Sequence, residues 1–238
     1  MKTPPTLGVI MLDTRFPRPL GDIGHPASFG VPVRQQVVTG AWPATVVQSA
    51  EGLLAAGLLP AFADAARALQ AEGVRAITTS CGFLVLLQQA LQAAVDVPLV
   101  TSSLLSLPDC LAHEAQVGVL TIRADRLQPA HLLAAGVPPA RLRDVLVQGT
   151  DPDGAFARPI LGNHDTIDFA AAEADVVAAA LALQARAPWL RTVVLECTNL
   201  PPHAAAIERH TGWRTVSLLQ SPTLLQAFSL SSFPPSTP

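Results

Sequence analysis

Apolar residues in this chain gather into short, β-branched runs separated by longer stretches with helical spacing. The runs fall at 6–12 (TLGVIML), 74–79 (VRAITT), 97–101 (VPLVT), 117–121 (VGVLT), 144–148 (DVLVQ), 192–196 (TVVLE) and 214–218 (RTVSL). Most are continuous rather than alternating, the pattern of strands covered on both faces in a parallel sheet. Helices are predicted near 61–72, 83–95, 103–114, 124–135, 169–187, 202–210 and 222–230. Within 83–95, Phe83, Leu84, Leu87, Leu91, Ala94 and Val95 form one apolar face. Alternation of this kind builds βαβ units, so an α/β fold with mainly parallel strands is expected.

Two stretches break the rhythm. Residues 13–32 (DTRFPRPLGDIGHPASFGVP) and 149–168 (GTDPDGAFARPILGNHDTID) are rich in Pro, Gly and polar residues and read as long loops. Structureless loops of about 20 residues are uncommon in compact domains. They are read either as two lids, one per half, or as ordered surface loops. The tail at 231–238 (SSFPPSTP) is expected to fray.

The two halves share one local arrangement, in which a strand ends at a cysteine and runs at once into a helix. In the first half it is Thr79-Ser80-Cys81-Gly82-Phe83, and in the second Glu196-Cys197-Thr198-Asn199-Leu200-Pro201-Pro202. In open α/β sheets, ligands bind at the carboxyl ends of strands. A helix N-terminus carries unpaired N–H groups and a partial positive charge, which attracts anions and lowers a thiol pKa. Gly82 permits a tight turn after Cys81, and Pro201 and Pro202 suit a first helical turn. Thr198 and Asn199 can cap that helix or bind a substrate carboxylate, and Thr79 and Ser80 can do the same on the other side. Thr121, at the end of the 117–121 run, is placed with them as a substrate-binding candidate. Cysteines in apolar strands also serve as small buried hydrophobes. Cys110 lies inside the predicted helix 103–114 and is assigned to packing.

Two thiols suit one chemistry in particular. Inverting a carbon α to a carboxylate means removing a proton from one face and delivering another to the opposite face. One thiolate and one thiol accomplish this without cofactor or metal, and a closed cleft that excludes water protects the carbanionic intermediate.

Composition narrows the partners. The 238 residues are 50% hydrophobic and 14% charged, enough for one large or two small α/β domains. Net charge is −3 and the basic residues are scattered, so no nucleic-acid partner is expected. No run reaches the roughly 18 apolar residues of a membrane span, and the segment from Lys2 to Asp13 is too short in apolar residues for a signal peptide. Three widely spaced cysteines argue against a disulfide framework and fit a reducing cytoplasm. The six histidines (His25, His113, His131, His164, His203 and His210) have no metal-motif company, so no metal is expected. His164-Asp165 and His203 are weighed as residues near the site. Asp22 is read as a turn residue. Strict alternation would point Glu196 away from the Cys197 side, although strand ends break that rule; it is read as pairing with a lid or modulating the thiol. No GxGxxG, GxxxxGK[ST] or GxSxG motif is present.

At these residues the chain resembles the aspartate/glutamate racemase superfamily, which includes glutamate, aspartate and hydantoin racemases, maleate isomerase and arylmalonate decarboxylase. The resemblance runs from Gly-Val-Ile-Met-Leu-Asp through Thr-Ser-Cys-Gly-Phe and Val-Gly-Val-Leu-Thr to Leu-Glu-Cys-Thr-Asn-Leu-Pro-Pro. It implies two pseudo-symmetric α/β domains, each a parallel sheet flanked by helices, with the active site in the interdomain cleft. It places residues 1–101 and 215–238 in the first domain and 102–214 in the second, with the last helix returning to the first. It implies Cys81 and Cys197 as catalytic residues, Asp13 and Thr14 as substrate contacts, no cofactor, a small carboxylate substrate and a possible homodimer. The sequence departs from glutamate racemases at Arg15-Phe16-Pro17-Arg18, at Gly82-Phe83, and at Asn199 where a histidine is usual. Arg15 or Arg18 can clamp a carboxylate instead. Decarboxylases of the superfamily keep one working cysteine, so two imply a cofactor-independent racemase or epimerase acting on an acidic amino acid or related compound. The alternatives are a hydantoin racemase, a cis–trans isomerase with a covalent cysteine adduct, or a non-catalytic binder.

Overall fold

A computed structural model describes residues 6–233. They form two four-stranded sheets in which every pairing is parallel. The first has the order β2-β1-β3-β4, with β1 at Leu7–Leu12, β2 at Val33–Val38, β3 at Ala76–Thr79 and β4 at Leu99–Val100. The second has the order β6-β5-β7-β8, with β5 at Val117–Thr121, β6 at Val145–Gly149, β7 at Thr192–Leu195 and β8 at Arg214–Val216. The second order repeats the first with each strand advanced by four. The repetition extends to individual hydrogen bonds: Ser80 N–H donates to Ile10 O and Glu196 N–H to Leu120 O, each at 2.9 Å.

Burial explains which strands the apolar pattern reveals. Every residue of β1, β3, β5 and β7 is buried. Along β1, Ile10 and Leu12 join an apolar cluster that spans both sheets and includes Cys81 and Cys197, while Leu7, Val9 and Met11 face the other way. That alternation is the period of a strand with two covered faces. The second cluster packs Leu218, Leu224 and Phe228 onto the outer face of the first sheet, so the helix Pro222–Phe228 lies against that sheet although it follows β8 in the chain.

Four expectations change. Strand β2 (VRQQVV) has no apolar run because it is an edge strand with exposed positions. Its neighbourhood also contains short helices at Pro43–Val46 and Ala50–Ala55 that the pattern does not reveal. The 83–95 segment is a 3-10 turn at Gly82–Leu87 followed by a short helix at Gln88–Gln92. There Gln88 Nε2 donates to Leu99 O, and Gln92 Oε1 accepts from Leu99 N–H, so side chains complete the ladder of the two-residue β4. The helix expected at 124–135 spans only Pro129–Ala134, because Pro129 fits its first turn and residues 124–126 form a turn before it. The 149–168 loop contains a helix at Ala157–Leu161.

At the C-terminal end, Phe233 is buried edge-on against Phe29, with ring centroids 5.4 Å apart, so the expected fraying does not extend to it. Residues 234–238 of that tail, and Lys2, lie outside the described residues. Among the described residues, no helix is long and apolar enough to cross a membrane.

Candidate active site

The loops after β3 and β7 meet between the two sheets. Cys81 lies two residues past the end of β3, and Cys197 two residues past the end of β7. Each is followed by a 3-10 turn, at Gly82–Leu87 and Pro201–His203. Both thiols are free, almost fully buried, and line one cavity of about 20 Å³. Leu12, the last residue of β1, and Ile122, the first after β5, line it as well. That volume holds little more than one water, so a substrate of several heavy atoms needs the walls to part.

Hydrogen bonds cross between the halves beside the cavity. Thr198 Oγ1 donates to Ser80 O at 2.7 Å. Asn199 Nδ2 donates to Asp22 Oδ2 at 2.6 Å, and Ile23 N–H to Thr198 O at 3.1 Å. Asp22 is therefore more than a turn residue: it is 1% exposed and forms an ion pair with Arg18 at 2.7 Å. Arg18 also donates to Thr14 Oγ1 at 3.1 Å, and its guanidinium lies 4.5 Å from the Phe16 ring centroid. Its Nε is buried without a partner beside the thiols.

The sequence-derived candidates divide into two groups. Ser80, Gly82, Thr198 and Asn199 line the cavity with the two cysteines. Asp13 instead accepts from Gly40 N–H at 2.9 Å, and the Arg15 side chain is exposed while its N–H donates to Asn163 Oδ1 at 2.7 Å. Thr79 donates to Thr101 O at 2.7 Å and Cys81 O at 3.1 Å, and so shapes the loop from behind. Thr121 donates to Glu196 at 2.6 Å, and Thr14 acts through Arg18. Of the two arginines weighed as a clamp, Arg18 borders the cavity. His164 and Asp165 are exposed. His203 is buried 3.6 Å from Glu173 and borders a second small cavity with Asp22 and Asn199. Cys110 is buried within the helix Leu107–His113.

Sequence reasoning treated Phe16 only as part of a departure from the glutamate enzymes, and left Glu196 between two roles. Glu196 is 1% exposed and lines the cavity, where a strand end has broken the alternation of side chains. The long loop 13–32 was the available signal for Phe16 and Asp22.

The expected lowering of the thiol pKa values is overturned. Burial first and the Glu196 carboxylate second push the Cys81 thiol up to about 12, against opposing backbone N–H groups of Phe83 and Leu84 and the charge of Arg18. Cys197 is raised well above its ordinary value by burial first and Glu196 second, with a smaller lowering from the Asn199 N–H. The turns supply donors to sulfur, but desolvation of a thiolate outweighs them. Burial also pushes Glu196 up to about 7, opposed by its hydrogen bond from Thr121.

This geometry defines a two-sheet parallel α/β protein with a symmetric pair of buried thiols at its centre. The chain belongs to the Asp/Glu/hydantoin racemase family, whose model matches residues 33–223. It is 34% identical over 218 residues to dimethylsulfoniopropionate lyase 7 of Emiliania huxleyi, covering 87% of this chain and 62% of the relative. Dimethylsulfoniopropionate lyase 3 of the same organism is 32% identical over 217 residues, covering 87% and 55%. The chain thus spans little more than half the length of these relatives. Among solved structures, arylmalonate decarboxylase superposes with a TM-score of 0.58 at 18% identity, covering 98% of this chain and 97% of that one. Allantoin racemase from Pseudomonas fluorescens superposes with a TM-score of 0.58 at 18% identity, covering 88% and 84%. Glutamate racemase from Francisella tularensis gives 0.55 at 15%, covering 94% and 78%. These structural likenesses establish the fold.

Proposed function

We propose that this chain is an enzyme that removes the proton from the carbon α to a carboxylate, using Cys81 and Cys197 as its acid/base pair and no cofactor. The observation that carries this reading is the cavity itself, lined by two cysteines from equivalent positions of two repeated sheets. A thiol that gives up its proton in this enclosed space becomes a strong base, and water is kept from the carbanion.

The carbanion then has two fates. If the β-carbon carries a dialkylsulfonium group, its electron pair forms the Cα–Cβ double bond and the Cβ–S bond breaks, releasing a neutral sulfide. The relatives named for dimethylsulfoniopropionate support this elimination as the first reading. A neutral leaving group needs no acid, so a single thiol suffices. Racemisation or epimerisation is the second reading, supported by the retained thiol pair, since inversion uses one thiol on each face.

The test is to incubate the protein in D2O with dimethylsulfoniopropionate and, separately, with aspartate, glutamate, hydantoins and maleate. Proton NMR follows exchange at Cα, the appearance of vinyl protons and inversion. Elimination predicts vinyl signals and sulfide release that one cysteine substitution abolishes and the other only reduces. Inversion predicts that both variants lose inversion, because each then keeps a thiol on one face only. No exchange and no elimination with any compound would sink the proposal.

A further inference from the structure

Glu196 occupies the place that Ser80 occupies in the first half, between the end of the strand and the cysteine. The repeat therefore sets a carboxyl against a hydroxyl, and the difference falls beside both sulfurs. One oxygen, Oε2, accepts from Thr121 at 2.6 Å. The other, Oε1, is buried with no hydrogen-bond partner. It faces the first cysteine loop at close range, because a Cβ added at Gly82 would overlap both Oε1 and the Glu196 carbonyl. An orphaned buried carboxylate oxygen is costly, and a proton placed on it lowers the cost.

We propose that Glu196 is a positioning residue that shares a proton with the thiol pair, so that a thiolate at Cys81 or Cys197 exists together with Glu196 protonated on Oε1. In the transfer, the S–H bond breaks, its electron pair stays on sulfur, and an O–H bond forms at Oε1. The proton stays within the site and its net charge is unchanged. The proposal rests on the reading of the two thiols as the reacting groups. The charged groups facing them are Arg18 and Asp22, from the loop 13–32 and paired with each other, and Glu196 itself. From the remaining walls, Thr121, Thr198 and Asn199 present neutral groups, and His131 stands behind Phe83 with ring centroids 5.0 Å apart. Burial raises Glu196 to about 7, so that its carboxyl holds a proton below neutral pH.

Coupled titration gives the proposal a substrate-free signature. While Glu196 is protonated, the thiolate population rises tenfold per pH unit. Once Glu196 ionises, each thiolate must reclaim a proton for its neighbour, and the rise stops. The experiment alkylates the full chain with iodoacetamide across pH 5 to 9 and reads Cys81 and Cys197 separately by mass spectrometry. In the wild type, the logarithm of the rate is expected to climb and then flatten near pH 7 (the value for Glu196). In Glu196→Gln, which keeps the shape and can still accept from Thr121, it climbs without a bend, exceeding the wild type by about tenfold for each pH unit above it. A wild-type profile with no bend overturns the proposal, and this result stands even if the variant fails to fold. If the reagent does not reach the sulfurs, thiolate ultraviolet absorbance replaces it, free of tyrosinate because the chain has no Tyr. Its midpoint is then expected to fall to lower pH in Glu196→Gln, and an unmoved midpoint overturns the proposal. Because no substrate is used, failure here is separate from failure of the proposed reaction.

Discussion

Asn199 donates to Asp22 over 2.6 Å, tying the loop that follows the second cysteine to the long loop of the first half. Asp22 in turn pairs with Arg18, whose side chain is 9% exposed. Removing one partner of a buried ion pair leaves the other charge uncompensated and costs about 3–5 kcal/mol. Asp22→Ala is therefore expected to lower stability by about 3 kcal/mol, read as a fall in the urea midpoint at unchanged slope. Asn199→Ala removes the bond to the carboxylate and the Oδ1 that accepts from the Cys197 thiol at 3.6 Å, and is expected to cost about 1–2 kcal/mol. An Asp22→Ala midpoint equal to wild type would mean that the pair adds nothing to stability.

The packing of Gly82 against Glu196 makes a second prediction. A methyl group there meets backbone carbonyl as well as side chain, so relaxation requires the loop after β7 to move. Overpacking of this kind costs about 1–3 kcal/mol. Gly82→Ala is expected to lower the thermal midpoint and to change the alkylation rate of Cys197, although the substitution adjoins Cys81. A Cys197 rate equal to wild type would show that the two cysteine loops are not mechanically joined.

Two buried groups bend the pH dependence of stability in opposite directions. His131 is fully buried, and desolvation lowers it to about 4 from the ordinary 6.5. The unfolded chain then binds more protons, so this contribution is present above about pH 6.5 and is lost as pH falls toward 4. Glu196 is raised to about 7 from 4.5, so the folded chain binds more protons, and its contribution is present at low pH and lost as pH rises to 7. Each window corresponds to about 3 kcal/mol, and the two largely cancel between about pH 4.5 and 6.5. Urea titrations of Glu196→Gln across that range should show stability rising with pH, and those of His131→Phe should show it falling. Parallel curves for both variants would refute these assignments.

The two cysteines supply the activity prediction. Cys81→Ala and Cys197→Ala remove small buried side chains and should fold, while at least one abolishes α-proton exchange in the NMR assay. Cys110→Ala, in its own helix outside the cavity, should leave exchange unchanged. Loss of exchange in Cys110→Ala alone would move the chemistry elsewhere.

Much of the fold was legible because the central strands are covered on both faces. Runs such as VGVLT and TVVLE can be buried in only a few ways, and the cysteine addresses follow from where those runs end. Strand β2 was not legible, since it lies at a sheet edge with Arg34, Gln35 and Val37 exposed, and VRQQVV resembles a loop. Ser80, Gly82, Thr198 and Asn199 were found because they flank the cysteines in sequence. Asp13 was placed by resemblance to a motif that this chain alters, and Arg15 as a substitute clamp where it departs; the altered loop directs them to Gly40 and to solvent. Asp22 lies far from either cysteine in sequence, and no local pattern connects them.

By itself, the sequence determined a pair of cysteines at matching strand ends in a repeated parallel α/β chain, because burial periodicity and chain reversal are local properties. Only the tertiary structure decided their electrostatics. The expected low thiol pKa rested on a helix terminus, a local feature, whereas the desolvation and the Glu196 carboxylate that overrule it arise when the two sheets close on each other. The same closure joins Asp22 to Asn199 and leaves one oxygen of Glu196 unpaired among the sulfurs. Distances across a cleft depend on how two halves pack, and no spacing along the chain encodes them.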